Sequence, residues 1–455
     1  MKIGLEVHLQ LPTRSKLFCS CSTASEGPNT SVCPTCLGFP GSRPRLNLRA
    51  LEMGLLIAKF LNCKVPETTW FSRKTYFYPD LPKNFQITQY DSPIGSDGSF
   101  PFNGKDVRIT RVHIEEDPGR IRRAGKSGEE VSLVDYNRSG VPLVEIVTAP
   151  DLSSPSEARD FLADLLTELR DLVGLSTKDE QTVRVDSNIS VGAERVEIKN
   201  ILGLRNMERA LSFEASRQRK MIKAGRAVAR ETRHYDEERK VTVSARGKES
   251  EEDYGYIGEP DLGVVHVGAI AAGIVVPETP LRRSERMSQA YGVDRTTSRQ
   301  IVVTSSGLAD LFERLSSTIP ADVVATWILG PISSNWGALE RRMDDRLADE
   351  IAGVIKAVAS AEMTDSEARM RIGAMASGER LEREEKVGER KELASLVASI
   401  LDQNPGVVSD SRTNKRAANF VIGEVMKQTG GKYSSADVVE AVRREIDKRL
   451  SAEDS

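Results

Sequence analysis

"KIGLEVHLQL", residues 2–11, alternates so strictly that it reads as one strand with two unlike faces. Ile3, Leu5, Val7 and Leu9 point to one side, while Glu6 and His8 share the other. The pattern recurs along the chain. In "RVHIEEDPGR", residues 111–120, Arg111, His113 and Glu115 alternate with Val112 and Ile114, and Glu115, Glu116 and Asp117 crowd together before a Pro-Gly break. In "VRVDSNISV" (183–191) Arg184, Asp186 and Asn188 line up, and in "RVEIKN" (195–200) Arg195, Glu197 and Lys199 do the same. Gly192 between them suggests a hairpin. Glu145 lies inside "VPLVEIVTAP" (141–150), an apolar run in which an unpaired carboxylate is costly. An antiparallel sheet with one wet face also alternates, so an ion-paired surface is one reading. The other is a cation and phosphate site, because this face gathers Glu, His, Asp, Asn and Arg in place of Thr, Lys and Ser. The pattern alone leaves both open.

Length and composition bound the rest. A chain of 455 residues exceeds one hydrophobic core, and 39% hydrophobic with 29% charged residues is ordinary for a soluble protein. No apolar run approaches the ~20 residues needed to span a bilayer, and the N-terminus lacks a signal peptide's apolar block, so a cytoplasmic protein with no membrane partner is expected. The net charge of −3 is silent about nucleic acid. Strand patterns at 3–11, 107–116, 131–135, 143–148, 182–191, 195–199 and 240–245 occupy residues 1–280. Two helices interrupt them. One follows Ser154 as N-cap and Pro155, with Glu157 completing a capping box and Gly174 ending it; the other, basic, runs over about 206–224. Past "VVPETPLRRSER", from residue 275, the period becomes helical, and a separate small helical unit begins near 393. The expected architecture is α+β: a mixed, largely antiparallel sheet domain over 1–280, a helical domain over 281–392 and a small helical tail over 393–455.

Four of the five cysteines fall in "CSCSTASEGPNTSVCPTC", residues 19–36. Cys19 and Cys21 form one knuckle, Cys33 and Cys36 another, and eleven residues part them. In a reducing compartment this spacing suits a structural tetrahedral zinc with no position left for substrate. Cys63 is read as a packed residue at a helix end.

The usual nucleotide and hydrolase motifs are missing. "GSFPFNGKD" (98–106) is not a phosphate loop, no G-x-G-x-x-G follows a strand, and no G-x-S-x-G occurs. "FSRKTYFYPDLPKNFQITQY" (71–90) reads as a loop in which Arg73, Lys74 and Lys83 surround Tyr76, Phe77 and Tyr78. Such a loop can stack and pair an RNA end, or pack on a sheet. Residues 206–230 carry seven Lys or Arg against two Glu, and Arg412, Lys415, Arg416, Lys427 and Lys432 make the tail basic, which suits RNA backbone contact or a solvated face.

Ten ordered stretches, among them "IGLEVHLQLPTRSKLFCSC", "PTCLGFPGSRPRLN", "RVHIEEDPG", "LVDYNRSGVPLVEIVTAPD", "VRVDSNISV", "ARETRHYDE" and "EEDYGYIGEPDL", resemble the B subunits of the aspartyl/glutamyl-tRNA amidotransferases across nearly the first 265 residues. The resemblance implies a cradle domain with a kinase site, a helical domain and a tRNA-gripping tail. It implies a ligase that forms a carbon–nitrogen bond with glutamine as amido donor. ATP phosphorylates the side-chain carboxylate of misacylated Glu-tRNA(Gln) or Asp-tRNA(Asn), and ammonia from an amidase (A) subunit displaces phosphate, with a small C subunit and no DNA partner. Carried onto this chain, Mg²⁺ falls to Glu6, His8, Glu115, Glu116 and Glu145. Arg111, Asp186, Asn188, Glu197 and Lys199 line the pocket, while Lys74, Tyr78 and Asp80 hold the tRNA terminus. The chain departs from the family at "KDEQTVRVDSN" (178–188), where members show "MEEGSLRCDAN", and at "DYGYIGEPDL" (253–262), where "DYRYFPEPDL" is usual. A zinc-braced tRNA-binding scaffold without catalysis is the competing expectation.

Overall fold

The alternation of residues 2–11 becomes strand β1, Lys2–Gln10, in the middle of an eight-stranded sheet. The computed structural model describes residues 1–125, 131–175, 183–245, 255–378, 386–411, 418–430 and 432–453, which divide into two units, Met1–Thr279 and Pro280–Ser455. In the first unit a hairpin of β2 (Ser72–Thr75) and β3 (Phe85–Thr88) precedes the other sheet strands. These are β4 (Gly95–Phe102), β5 (Lys105–Glu116), β6 (Pro142–Thr148), β7 (Val183–Ser190), β8 (Val196–Ile201), β9 (Glu231–Asp236) and β10 (Val241–Ser244). The order across the large sheet is β10-β9-β8-β7-β1-β6-β5-β4, antiparallel throughout except for β8 beside β9. It is thus a mixed sheet dominated by antiparallel pairs, and β7 and β8 pair as Gly192 suggested.

The apolar parity of these strands is the core. Ile3, Leu5, Val7, Val112, Ile114, Val144, Ile146, Val185 and Ile189 are all buried, while the opposite parity carries the charged row. Three helices pack on the strands: α1 (Leu48–Phe60), α2 (Pro155–Val173) and α3 (Leu204–Lys223). Helix α1, announced by Asn47 capping the Arg49 and Ala50 N–H groups, is the helix whose end the sequence places near Cys63, although its start is not among the expected signals. Its Gly54 is needed for contact, since a Cβ there would stand 2.7 Å from the Ile114 Cδ1. In α2, Ser154 caps the Glu157 N–H as expected, and Gly174 closes the helix at φ 71°. The Glu157 carboxylate reaches one residue further back than a capping box, to the Ser153 N–H and hydroxyl, both at 2.6 Å. Phe161 of α2 is fully buried, edge-on to Phe100 and Phe102 of β4 at 5.7 and 5.6 Å. Burying such a ring stabilises by roughly 2–3 kcal/mol. Glu214 of α3, also fully buried, accepts from Arg217 and the Thr242 hydroxyl and lies 3.4 Å from Arg233, which ties the helix to β9 and β10.

The stretch 71–90, expected to be a loop, is the β2–β3 hairpin with a nine-residue tip. Its alternation is hidden because Pro79 and Pro82 break only the tip, where Phe77 and Tyr78 are exposed. In the second unit, helices between Pro280 and Ser377 enclose one core that includes Ile301, Phe312, Ile328, Trp336 and Ile355. A second core includes Leu393, Leu401, Val421 and Val442. The basic residues Arg412, Lys415 and Arg416 lie outside the described residues.

Candidate active site

Cross-strand register turns the polar parity into rows. His8 of β1 stands directly opposite Glu145 of β6, and Glu145 opposite His113 of β5. The Glu145 Oε2 is 3.3 Å from the His8 Nε2 and 3.1 Å from the His113 Nε2. Glu115 closes the group at 3.8 Å from His8 and 3.4 Å from His113, and accepts from the Thr88 hydroxyl of β3 at 3.0 Å. Donor atoms of His8, Glu115 and Glu145 lie within 4.8 Å of one another. The next row holds a second group. Glu6 opposes Asp186, Asn188 opposes Glu197, and donors of Glu6, Asp186 and Glu197 again lie within 4.8 Å. The Asn188 amide donates to the Glu6 Oε1 at 2.9 Å, the Thr232 hydroxyl donates to the Glu197 Oε2 at 3.0 Å, and the Lys199 ammonium is 3.6 Å from the Glu197 Oε1.

The electrostatics of the two groups differ. Burial pushes Glu6 up, and Glu145, Glu197 and Asp186 push it further, to about 7. Two carboxylates at this spacing repel by roughly 3 kcal/mol even at an effective dielectric near 20. In the other group burial works against His8 and His113, but Glu145 and Glu115 outweigh it and carry both up to about 9. Glu145 is correspondingly held well below its ordinary value by the two imidazoles. A protonated His113 would nevertheless bury an Nδ1–H that has no acceptor among the described residues. With the carboxylates balanced by a cation instead, His113 could stay neutral and donate from its Nε2 to Glu145, leaving no buried Nδ1–H. The oxygen-only set of Glu6, Asp186 and Glu197 fits a hard Mg²⁺ ion, whereas the set with the His8 nitrogen also suits Mn²⁺.

Other candidates fall elsewhere. Glu116 has the opposite parity to Glu115 and turns away from both groups, its Oε1 2.6 Å from the buried Lys83 ammonium. Arg111 lies on β5 near Tyr256, which stacks on Tyr90 at 3.9 Å. Lys74 lies along the Tyr76 ring, 5.8 Å from its centroid, and Tyr78 is at the exposed hairpin tip. Asp80 is beside Arg138, Asp117 and Arg184. The site residues not chosen from the sequence are His113, Thr88 and Thr232, whereas Lys83 and the buried Asp117, which accepts from Gln10 and Arg184, belong to neither group. For His113 the signal was present, since it shares the parity of Glu115. A cavity of about 190 Å³ near Lys83 is lined by Arg73, Phe39, Phe85, Glu259 and Asp261, and by no member of either group.

The four knuckle cysteines come together with their Sγ atoms within 4.8 Å. Cys33 caps the short helix Pro34–Leu37, and its N–H donates to the Cys36 Sγ at 3.1 Å. Four soft donors at this spacing fit tetrahedral zinc, with Zn–S distances of about 2.3 Å. No helix among the described residues is long and apolar enough to cross a membrane.

Residues 1–271 match the family described as GatB/GatE catalytic domain, and residues 310–446 that described as GatB domain. The chain is similar to the B subunit of the aspartyl/glutamyl-tRNA(Asn/Gln) amidotransferase of Methanospirillum hungatei, at 40% identity with 98% of each chain covered. The like-named proteins of Methanoregula boonei and Moorella thermoacetica are 41% and 40% identical, covering 96% and 94% of this chain and 96% of each relative.

Proposed function

The chain belongs to the GatB family of tRNA-dependent amidotransferase subunits, ligases that form carbon–nitrogen bonds, and from that premise we propose that it carries the kinase and amidation site. The substrate is misacylated Glu-tRNA(Gln), Asp-tRNA(Asn) or both. A side-chain carboxylate oxygen attacks the γ-phosphorus of ATP, the bond to the β-phosphate oxygen breaks, and ADP leaves. Ammonia released by an amidase (A) subunit then attacks the acyl carbon; the new carbon–nitrogen bond forms, phosphate departs and a proton is lost. A small C subunit completes the assembly, which works in the cytoplasm.

In this reading Glu6, Asp186 and Glu197 hold Mg²⁺, with Asn188 orienting Glu6 and Thr232 orienting Glu197. His8, Glu115 and Glu145 hold a second cation, with His113 braced against both carboxylates. Bound there, the cations neutralise charge on the transferring phosphoryl group. Lys199 and Arg111 supply positive charge at the rim, and Lys74, Tyr78 and Asp80 meet the tRNA terminus. Glu116, paired with Lys83, holds no cation in this reading. The four cysteines hold a structural Zn²⁺. The observation that carries the proposal is the adjacency of two donor groups on one sheet face, one of them three mutually repelling carboxylates. The test is ADP formation by the chain copurified with its amidase partner, on Glu-tRNA(Gln), Asp-tRNA(Asn) and uncharged tRNA in parallel. Turnover with a misacylated tRNA alone is expected. Tight tRNA binding with no ADP from any substrate would leave only a scaffold.

A further inference from the structure

Lys16 is fully buried, an uncommon place for an ammonium group. Its Nζ lies 3.6 Å from the Cys36 Sγ and donates to the Tyr136 carbonyl at 3.2 Å. Its own N–H donates to the Cys21 carbonyl at 2.9 Å, so the residue is tied to both knuckles. Among the described residues no carboxylate pairs with the Lys16 ammonium, and the nearby Glu116 carboxylate is taken by Lys83. A buried cation without a negative partner costs several kcal/mol, and a carbonyl dipole offsets only part of that. Neutral thiols would not supply the missing charge. Four thiolates around Zn²⁺ carry a net charge of −2 and would.

We propose that Lys16 is the built-in counter-ion of a zinc tetrathiolate formed by Cys19, Cys21, Cys33 and Cys36, and that it slows loss of the metal. The inference rests on reading the four cysteines as a zinc site. Physically, the ammonium withdraws charge from the Cys36 sulfur, which also accepts the Cys33 N–H. Without it that sulfur is more basic and more nucleophilic, so protons and electrophiles open the site faster. The dependence runs both ways: an emptied site strands the ammonium, and the wall around Lys16 must open to water. That wall is shared, since a Cβ placed at Gly140 would stand 3.6 Å from the Lys16 Cδ and 3.5 Å from the Glu116 Oε1.

The experiment uses the full chain, purified anaerobically with its zinc content measured, as wild type and as Lys16→Met. Zinc transfer to the chromogenic chelator 4-(2-pyridylazo)resorcinol is followed with and without methyl methanethiosulfonate. Lys16→Met is expected to carry zinc but release it roughly tenfold faster or more, the usual scale for removing a partner of a metal ligand. Release within twofold of wild type from a folded variant overturns the proposal. Should that variant not fold, the wild type decides alone: acetic anhydride should label Lys16 after zinc is stripped and spare it before. Equal labelling in the two states overturns the proposal. Wild-type chain that binds no zinc at all overturns the zinc reading together with it, whereas bound zinc with unchanged release overturns only the role of Lys16.

Discussion

Glu6→Gln separates a cation site from an ion-paired surface by stability as well as by activity. In the metal-free chain the Glu6 carboxyl is pushed up to about 7 by burial, Glu145, Glu197 and Asp186, against an ordinary value of 4.5. A carboxyl raised on folding binds more protons in the folded state, so its ionisation opposes folding as pH climbs from 4.5 through 7. The full shift would be worth about 3 kcal/mol at 1.36 kcal/mol per pH unit. Glu6 is partly exposed and the Lys199 ammonium stands 3.6 Å from Glu197, so about 1–2 kcal/mol is the working figure. Glutamine keeps the oxygen that accepts from Asn188 and offers its amide hydrogens to neighbouring carboxylates. The variant should therefore match the wild type near pH 4 in EDTA and exceed it at pH 8. At about 2 °C per kcal/mol for a unit this large, the gain in Tm is roughly 2–4 °C. Magnesium should reverse the order: at a hundred times Kd it stabilises the wild type by about 2.7 kcal/mol and the variant hardly at all. ADP formation should fall at least a hundredfold. Calorimetry of the full chain at pH 4 and pH 8, with EDTA or Mg²⁺, reads all of this. A variant no more stable than wild type at pH 8 in EDTA would refute the repulsion argument and favour the ion-paired surface.

Three further outcomes follow from other contacts. Thr232→Val should raise the Mg²⁺ concentration for half-maximal ADP formation roughly tenfold, and Thr232→Ser should restore it, because the hydroxyl at 3.0 Å aims Glu197. Glu259→Gln should lower the first unit's stability by about 3 kcal/mol in urea unfolding, since the buried carboxylate takes two bonds from Arg73 at 2.7 and 2.9 Å; Arg73→Leu with Glu259→Leu should recover much of the loss. Although burial would raise Glu157, Lys105 and Ser153 hold its carboxyl down to about 2, so the stability it adds is whole above pH 4.5 and lost as pH falls toward 2. The gap between wild type and Glu157→Gln should therefore be about 1 kcal/mol at pH 6 and close on acidification.

What the sequence reveals of the site follows from what a period of two can and cannot say. Parity along a strand assigns each residue to a face, so Glu6, His8, Glu115, Asp186, Asn188 and Glu197 are legible as one polar surface before any fold is known. Parity does not say which strands are neighbours. Sheet order β7-β1-β6-β5 brings residues 184–188, 6–8, 145 and 113–115 side by side across up to 180 positions of chain, and nothing local encodes that pairing. The knuckle is the opposite case: its donors lie within eighteen residues, so spacing alone carries the chemistry. The β2–β3 hairpin is hidden because its prolines sit at the tip and its strands are four residues long.

Glu116 shows where the same rule outruns proximity in sequence. Its neighbour Glu115 shares a face with Arg111 and His113, whereas Glu116 shares the parity of Val112 and Ile114. A carboxylate on the apolar side of a sheet is costly unless something charged meets it, and Lys83 does, from the end of the hairpin tip at 2.6 Å. Lys83 is held in turn by the knuckle: a Cβ at Gly38, which ends the Pro34–Leu37 helix at φ 71°, would stand 2.5 Å from the Lys83 Cγ. The adjacent glutamates thus have different partners because successive side chains of β5 point to opposite faces of the sheet. Glu115 faces the two donor groups; Glu116 locks the strand to the cysteine knuckle. A metal held by that knuckle would therefore matter for a site it never enters, since loosening the knuckle frees Lys83, Glu116 and then the strand that carries His113 and Glu115.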